Sequence, residues 1–249
     1  MLAGGGASVV LRFGARIVRI PRHPFVAERF RVAAALCDLV RDRLPVPVPR
    51  PLQGGPPVME CHARLPGRMP EPADAGPELA ADVAAVLAAL HAVPVEAAGA
   101  AGVVADVWSG VLDLAERTLP PAALDRDMRR AFALARDRED ALPPVLVHHD
   151  LHRANLLVAG RPARLAGIID FADATIADPH WDFRHLAGLG ADFLGAVVAA
   201  YGRATGRRLS IARIGRLADS RAGIDRAKAL LLRCHDGIDG CDPPAPSPS

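Results

Sequence analysis

Three oxygen-bearing side chains at fixed spacing define the chemistry open to this chain. The stretch His148-His149-Asp150-Leu151-His152-Arg153-Ala154-Asn155 sets an aspartate five residues before an asparagine, and Ile169-Asp170-Phe171 follows, its aspartate fifteen residues after that asparagine. Phosphoryl transfer from a nucleoside triphosphate needs such a set. One carboxylate must face the attacking hydroxyl, and further oxygen ligands must hold Mg2+ against the phosphates. Asp150 has the place for the first task, and Asn155 and Asp170 have the places for the second.

The flanking residues supply the elements that must position them. Val145-Leu146-Val147 is a short apolar run that reads as a strand entering the loop. Leu156-Leu157-Val158 resumes a strand, Ala159-Gly160-Arg161-Pro162 carries turn chemistry, and residues 165–169 read as the returning strand. The two metal ligands then stand at the start and end of one hairpin. A rival reading makes His148, His149, Asp150 and His152 a metal cluster, but no cysteine pair or helical His-x-x-x-His spacing supports it. His148 is expected to pack and hydrogen-bond beneath the loop, and His149 and His152 read as polar loop residues.

The rest of the chain divides into a β-rich start and a helical remainder. Residues 8–12 and 16–20 read as two strands about a turn at Gly14, and Gly4-Gly5-Gly6 before them is either a phosphate-covering loop or a flexible terminus. Residues 25–42 read as an amphipathic helix with Phe30, Ala33, Leu36, Cys37 and Val40 on one side, and residues 45–51 as an extended proline-rich connector. Residues 58–62 read as a further strand. Helices are expected over 78–91, 103–117, 122–141, 183–204 and 211–234, with a disordered tail at 243–249. Asp178 before Pro179 is a good helix cap, so Asp178 and Asp182 read as structural. Asp173 is expected to order its loop or face substrate, and Trp181 reads as core.

Composition bounds the function class. A chain of 249 residues with 51% hydrophobic residues is long and apolar enough for a folded unit with sizeable cores. The net charge of +2 makes no electrostatic case for nucleic acid or an anionic membrane. Lys228 is the one lysine among the 30 basic residues, so no lysine-rich patch exists. Cys37, Cys61, Cys234 and Cys241 lack metal-binding spacing and read as reduced thiols. With neither an apolar leader nor a long apolar run, a cytoplasmic location is expected.

The segments "LVHHDLHRANLLV" and "GIIDFADATIADPHWDF" resemble the aminoglycoside phosphotransferase family, which includes macrolide phosphotransferases and is similar to choline and homoserine kinases. Members read H-G-D-L-H-x-x-N, then I-D-F/W, then G-D-P-x-x-D. "GARIVRIPRHP", "RLPVPVPRP", "ARLPG" and "LAALHAVP" extend the likeness over about residues 4–203. The resemblance implies an α+β, two-lobed protein-kinase-like fold: a small, apparently truncated N-lobe at 1–65 and a helical C-lobe at 66–242. It implies transfer of the γ-phosphoryl group of ATP or GTP to the hydroxyl of a small molecule, including antibiotic inactivation, with Mg2+ as cofactor. Arg19 takes the place of the basic residue that steadies the phosphates. The hinge at 62–65 would bind the base through backbone groups, with His62, Ala63 and Leu65 as candidates. In the C-terminal part, Asp106, Asp113 and Glu116 are candidates by position for an acidic acceptor pocket.

Four departures qualify this picture. His149 replaces the usual glycine and Ala177 another. Members carry several dozen residues ahead of the glycine loop. The carboxylate that a kinase helix supplies to pair with the basic strand residue is expected at position 33, which is alanine, and Glu28 lies five residues earlier on a different side. Arg19 is therefore expected to lack its partner and activity to be low. A nucleotide-binding pseudokinase, or an inactive folded fragment, is the alternative reading.

Overall fold

A computed structural model describes residues 8–54 and 59–235. The Gly4–Gly6 segment, Val58 and the 243–249 tail lie outside the described residues. Contacts divide the chain into two compact units, residues 1–105 with 142–209, and residues 106–141 with the segment from Ser210 onward.

The first unit opens with a β-hairpin, β1 (Ser8–Phe13) and β2 (Arg16–Pro21), turning at Gly14, whose φ of +55° suits glycine. Helix α1 (Pro24–Val40) starts with proline in its first turn, where a missing N–H costs nothing. Phe30, Ala33, Leu36, Cys37 and Val40 form its buried stripe, as the periodicity required. Strands β3 (Leu52–Gly54) and β4 (Met59–Ala63) complete an antiparallel sheet of order β1-β2-β4-β3. In that ladder Arg19 of β2 lies directly opposite Glu60 of β4.

The remainder is mainly helical. Helix α2 (Pro77–His91) buries Leu79, Val83, Val86, Leu87 and Leu90, and α3 (Val95–Ala100) follows it. The second unit contributes α4 (Val107–Thr118) and α5 (Arg126–Arg136), the latter capped by Asp125, whose side chain accepts the Met128 N–H at 2.9 Å. Back in the first unit, β5 (Val145–Val147), the hairpin β6 (Leu156–Ala159) and β7 (Arg164–Ile168), and β8 (Thr175–Ala177) carry the loops of interest. β5 pairs with β8 and β6 with β7. Helix α6 (Ala191–Thr205) packs on α2. Helix α7 (Ile211–His235) belongs to the second unit and packs on α5, where Gly223 is required: a Cβ there would lie 2.3 Å from that of Ala131.

Three helix boundaries differ from expectation for local reasons. The helix expected from residue 103 starts at Val107, behind a left-handed Asp106 (φ +47°). The one expected over 122–141 is trimmed to Arg126–Arg136, starting at the Asp125 cap. The one expected from residue 183 starts at Ala191, after a 3-10 turn at Leu186–Leu189 and a Gly190 with φ +116°. Strands β3 and β8, three residues each, and the six-residue α3 are too short to leave a periodic signal.

Candidate active site

The loop between β5 and β6 is fixed from below by one carboxylate. Asp182, fully buried, accepts the backbone N–H of His149 at 2.6 Å, the N–H of His148 at 3.0 Å, and the Nε2–H of His91 at 3.0 Å. His91 Nδ1 in turn faces the Tyr201 hydroxyl at 2.8 Å, so the hydroxyl donates to it. Asp182 ends a 3-10 turn that Asp178 begins, and the Asp178 side chain accepts from His180 N at 3.2 Å and His180 Nδ1 at 2.6 Å. Both aspartates are structural, as read.

His149 has φ +67°, the left-handed conformation that glycine adopts at least cost. Its ring is buried and lies 4.7 Å from the Trp181 ring, with the Arg184 guanidinium 4.6 Å from that same indole. Arg184 Nη2 also donates to the His149 carbonyl at 3.1 Å. His149 is thus a packed residue and not a polar loop residue as expected, because its neighbours Trp181 and Arg184 come from beyond the local sequence. Trp181 itself is core.

This turn delivers Asp150. Its carboxylate lies 3.4 Å from His152 Nε2 and 3.7 Å from His185 Nε2, and the Asn155 Nδ2 group donates to the Asp150 carbonyl at 2.8 Å and to Oδ2 at 3.3 Å. Burial works to raise the Asp150 pKa, but the His152 hydrogen bond and the imidazoles of His152, His148 and His185 outweigh it and hold the carboxyl at about 2. His148 is fully buried beneath the loop, as expected. It accepts the Asp150 N–H through Nδ1 at 3.3 Å and donates through Nε2 to the Ile169 carbonyl at 3.0 Å, joining the Asp150 loop to the Asp170 segment.

Asn155 and Asp170 meet at one end of the β6–β7 hairpin. Ile169 N donates to Asn155 O at 3.0 Å, continuing the ladder one step beyond the Leu156–Ile168 pair. With its amide nitrogen turned to Asp150, the Asn155 oxygen is directed away from it. Asp170 (φ +65°) accepts Arg19 Nη2 at 3.0 and 3.2 Å. Both are hard oxygen donors of the kind Mg2+ takes. Among the described residues no group of three or more His, Cys, Asp or Glu is arranged to hold a metal. The rival His148–His152 metal cluster has no such arrangement either.

Arg19 corrects the expectation of an unpaired strand cation. Besides Asp170, its Nη1 lies 3.6 Å from Glu60 Oε1, and the guanidinium is 4.7 Å from the centre of the Phe30 ring. Burial alone would lower its pKa, but Asp170 and Glu60 together raise it. The sequence reading missed Glu60, although a signal existed. In Met59-Glu60-Cys61-His62 the period-two alternation turns Glu60 and His62 inward, and a buried strand glutamate needs a cation. Glu28 instead pairs with Arg31 on the exposed side of α1. Asp173 is held by Arg29 of α1 at 2.5 Å, which ties its loop to that helix.

Ala33, Cys37, His62, Glu60, Arg19, and Asp170 with Ile169 and Phe171 line a cavity of about 210 Å³. Ala63 is opposite Arg16 in the ladder, and Arg64 N donates to Ala15 O at 2.7 Å. After Leu65 the chain turns at Gly67 (φ +108°), where a Cβ would meet Val158 O at 3.0 Å, and Arg68 bonds β6 through Val158 in both directions, at 3.0 and 2.8 Å. Of the candidate hinge residues, His62 reaches the cavity, while Ala63 and Leu65 are not among its lining. In the second unit Asp106 pairs with Arg138, and Asp113 and Glu116 with Arg136, so each of these carboxylates is held by an arginine.

The sequence matches the profile of APH, the Phosphotransferase enzyme family, over residues 3–218. The chain belongs to this family. Solved structures of similar fold include APH(2")-IIIa in its GDP and kanamycin complex, at TM-score 0.75 and 24% identity, covering 96% of this chain and 88% of that one. The macrolide 2'-phosphotransferase MphH from Brachybacterium faecium gives TM-score 0.69 and 22% identity over 95% and 90% of the two chains. The streptomycin–ATP–APH(2")-IIa ternary complex gives 0.71 and 18% over 95% and 88%. At these identities the likeness establishes the fold, an α+β chain with a small β-rich N-terminal region and a mainly helical remainder. No curated protein matches the sequence. Among the described residues no helix is long and apolar enough to cross a membrane.

Proposed function

We propose that this family member transfers the γ-phosphoryl group of ATP or GTP to a hydroxyl of a small molecule. The observation that carries the reading is the joining of Asp150, Asn155, Asp170 and Arg19 by the hydrogen bonds of Asn155 to Asp150, Ile169 to Asn155, and Arg19 to Asp170. Asp150 orients the acceptor hydroxyl. With a carboxyl held at about 2 it is ionised across the working range and a weak proton acceptor, so its contribution is alignment and attraction of the hydroxyl hydrogen. Such a role suits a loose transition state that needs little early proton removal. Asn155 and Asp170 would hold Mg2+, which when bound offsets phosphate charge. Arg19 would face the same phosphates, and the backbone near His62, the candidate hinge residue that lines the cavity, would hold the base.

The expectation of poor turnover rested in part on an Arg19 without a carboxylate, and Glu60 answers that part of it. Aminoglycosides and macrolides head the acceptors to test, because phosphotransferases of these names share the fold. An ATP- or GTP-dependent kinase of this kind would work in the cytoplasm. The deciding experiment incubates the chain with Mg2+, ATP or GTP and a panel of hydroxyl-bearing antibiotics and metabolites, and follows gain of one phosphoryl group by mass spectrometry. Product formation by the wild type and its loss in Asp150→Asn supports the reading. Tight nucleotide binding with no product from any acceptor would favour the pseudokinase.

A further inference from the structure

We propose that Glu60 is the positioning residue for Arg19, a strand-borne carboxylate in place of the helix-borne one that position 33 lacks. The inference rests on the phosphotransferase reading, since it concerns how the phosphate-binding cation is aimed. In protein kinases a helix glutamate grips the strand cation, and the placement of that helix controls whether the grip forms. Here the two partners face each other across adjacent strands, Arg19 opposite Glu60 in the β2–β4 register. The pair is therefore built into the sheet ladder and does not wait on the position of α1.

The surroundings leave Glu60 as the group for this task. Asp170 also holds Arg19, but Asp170 is needed as a metal ligand. Cys37 lines the same cavity, yet burial and the Glu60 charge push its thiol up to about 12, so it stays protonated and offers no anion. The Arg19 guanidinium carbon lies 4.7 Å from the centre of the Phe30 ring, so this ring of α1 packs against the cation. Glu60 itself is 2% exposed, its Oε1 shared between Arg19 at 3.6 Å and His62 Nε2 at 3.7 Å, and its Oε2 has no hydrogen-bond partner among the described residues. A carboxylate so poorly served is a cost to the fold. Burial pushes its pKa up, and Arg19, whose shorter contacts go to Asp170, only partly offsets that. A residue that weakens the fold while holding the phosphate-binding cation has the profile of a functional group. Ala33 lines the same cavity from α1, so a glutamate placed there can reach the same guanidinium.

The test is a set of variants, Glu60→Gln, Glu60→Ala, Ala33→Glu, Arg19→Ala and their pairwise combinations. Three readouts are taken: urea denaturation, Mg2+–nucleotide affinity by calorimetry, and kcat and KM where turnover exists. Glu60→Gln is expected to be at least as stable as wild type at pH 7, yet at least 10-fold lower in kcat/KM for nucleotide with KM for the acceptor unchanged. Its effect should largely disappear in an Arg19→Ala background. Ala33→Glu alone should bring no gain, because it crowds a third carboxylate beside Glu60 and Asp170. In the Glu60→Ala background it should recover at least 3-fold of the lost kcat/KM or affinity. Wild-type parameters in Glu60→Gln, additive losses with Arg19→Ala, or no recovery by Ala33→Glu would each overturn the proposal while leaving the phosphotransferase reading intact. A wild type that binds nucleotide without turnover overturns that reading alone, and the affinity cycle still decides on Glu60. A wild type that binds no nucleotide overturns both.

Discussion

Replacing Asp182 by asparagine should loosen the Asp150 loop without touching any group that meets substrate. The carboxylate accepts three buried hydrogen bonds: Oδ1 takes the His149 N–H at 2.6 Å, and Oδ2 takes His148 N and His91 Nε2, each at 3.0 Å. In Asp182→Asn the retained oxygen can serve His149, while an NH2 group faces the other two donors. His91 has a remedy: it can shift its proton to Nδ1, accept from the new amide and donate to the Tyr201 hydroxyl 2.8 Å away. The His148 N–H has none, because it is backbone, and an orphaned buried donor costs about 1–3 kcal/mol. The bonds that survive lose charge assistance, about 1 kcal/mol each for two of them. The sum is a loss of about 3–5 kcal/mol, a large share of the roughly 5–15 kcal/mol that holds a domain together. At about 2–4 °C per kcal/mol for a chain of this size, the melting temperature should fall by roughly 6–20 °C. Urea denaturation at pH 7 measures the loss, and kcat measured well below the new transition should also fall, because the left-handed turn at His149 aims Asp150. A variant within about 1 kcal/mol of wild type with unchanged kcat would refute the idea that Asp182 holds the loop. Equal losses in Asp182→Asn and Asp182→Ala would show that charge, not the remaining acceptor, carries the effect.

The other predictions concern the groups that Asp182 supports. Asp150→Asn should reduce kcat by on the order of 10²-fold or more with nucleotide affinity nearly unchanged, read by steady-state kinetics and calorimetry. Its stability effect has a pH signature: the carboxyl lies at about 2 in the fold against an ordinary 3.8, so Asp150 stabilises above the ordinary value and that contribution is lost as pH falls from about 4 toward 2. Denaturant titrations of wild type and Asp150→Asn should therefore converge over that interval. Asp170→Ala should abolish the Mg2+ dependence of nucleotide binding in calorimetry, and an unchanged metal effect would remove Asp170 from the metal site. His149→Gly relieves a left-handed backbone, a gain of about 1–2 kcal/mol, but deletes a buried ring packed on Trp181, whose loss exceeds that gain; denaturation should show a net loss of about 1–3 kcal/mol.

Local spacing made the clustering at the candidate site readable. Asp150, Asn155 and Asp170 lie within 21 residues on one loop and one hairpin, so sequence distance and spatial distance agree, and the Leu156–Ile168 pairing follows from the turn between them. The buried stripes of α1 and α2 were readable for the same reason, since the helical period is a short-range signal. The helix starts at Val107 and Ala191 were not, because single backbone conformations at Asp106 and Gly190 fix them.

What short-range reading failed to supply is the partner of Arg19, and the failure is instructive about how the site is built. The search for a carboxylate looked along α1, because a helix usually supplies it, and found alanine at 33 and a glutamate at 28 that is bound to Arg31. The partner came from 41 residues downstream, across a strand pairing. Two features connect the pair: the alternation in β4 turns Glu60 toward the core, and a buried carboxylate in a strand is served by a cation, which the adjacent strand can present. With β2 and β4 paired, Arg19 is the residue opposite. Ala33 lines the same cavity as these groups. A glutamate on α1 would enter a cavity that already holds Glu60 and Asp170, and three carboxylates would then compete for one guanidinium. On the role proposed for Glu60, alanine at 33 leaves the guanidinium to Glu60 and Asp170.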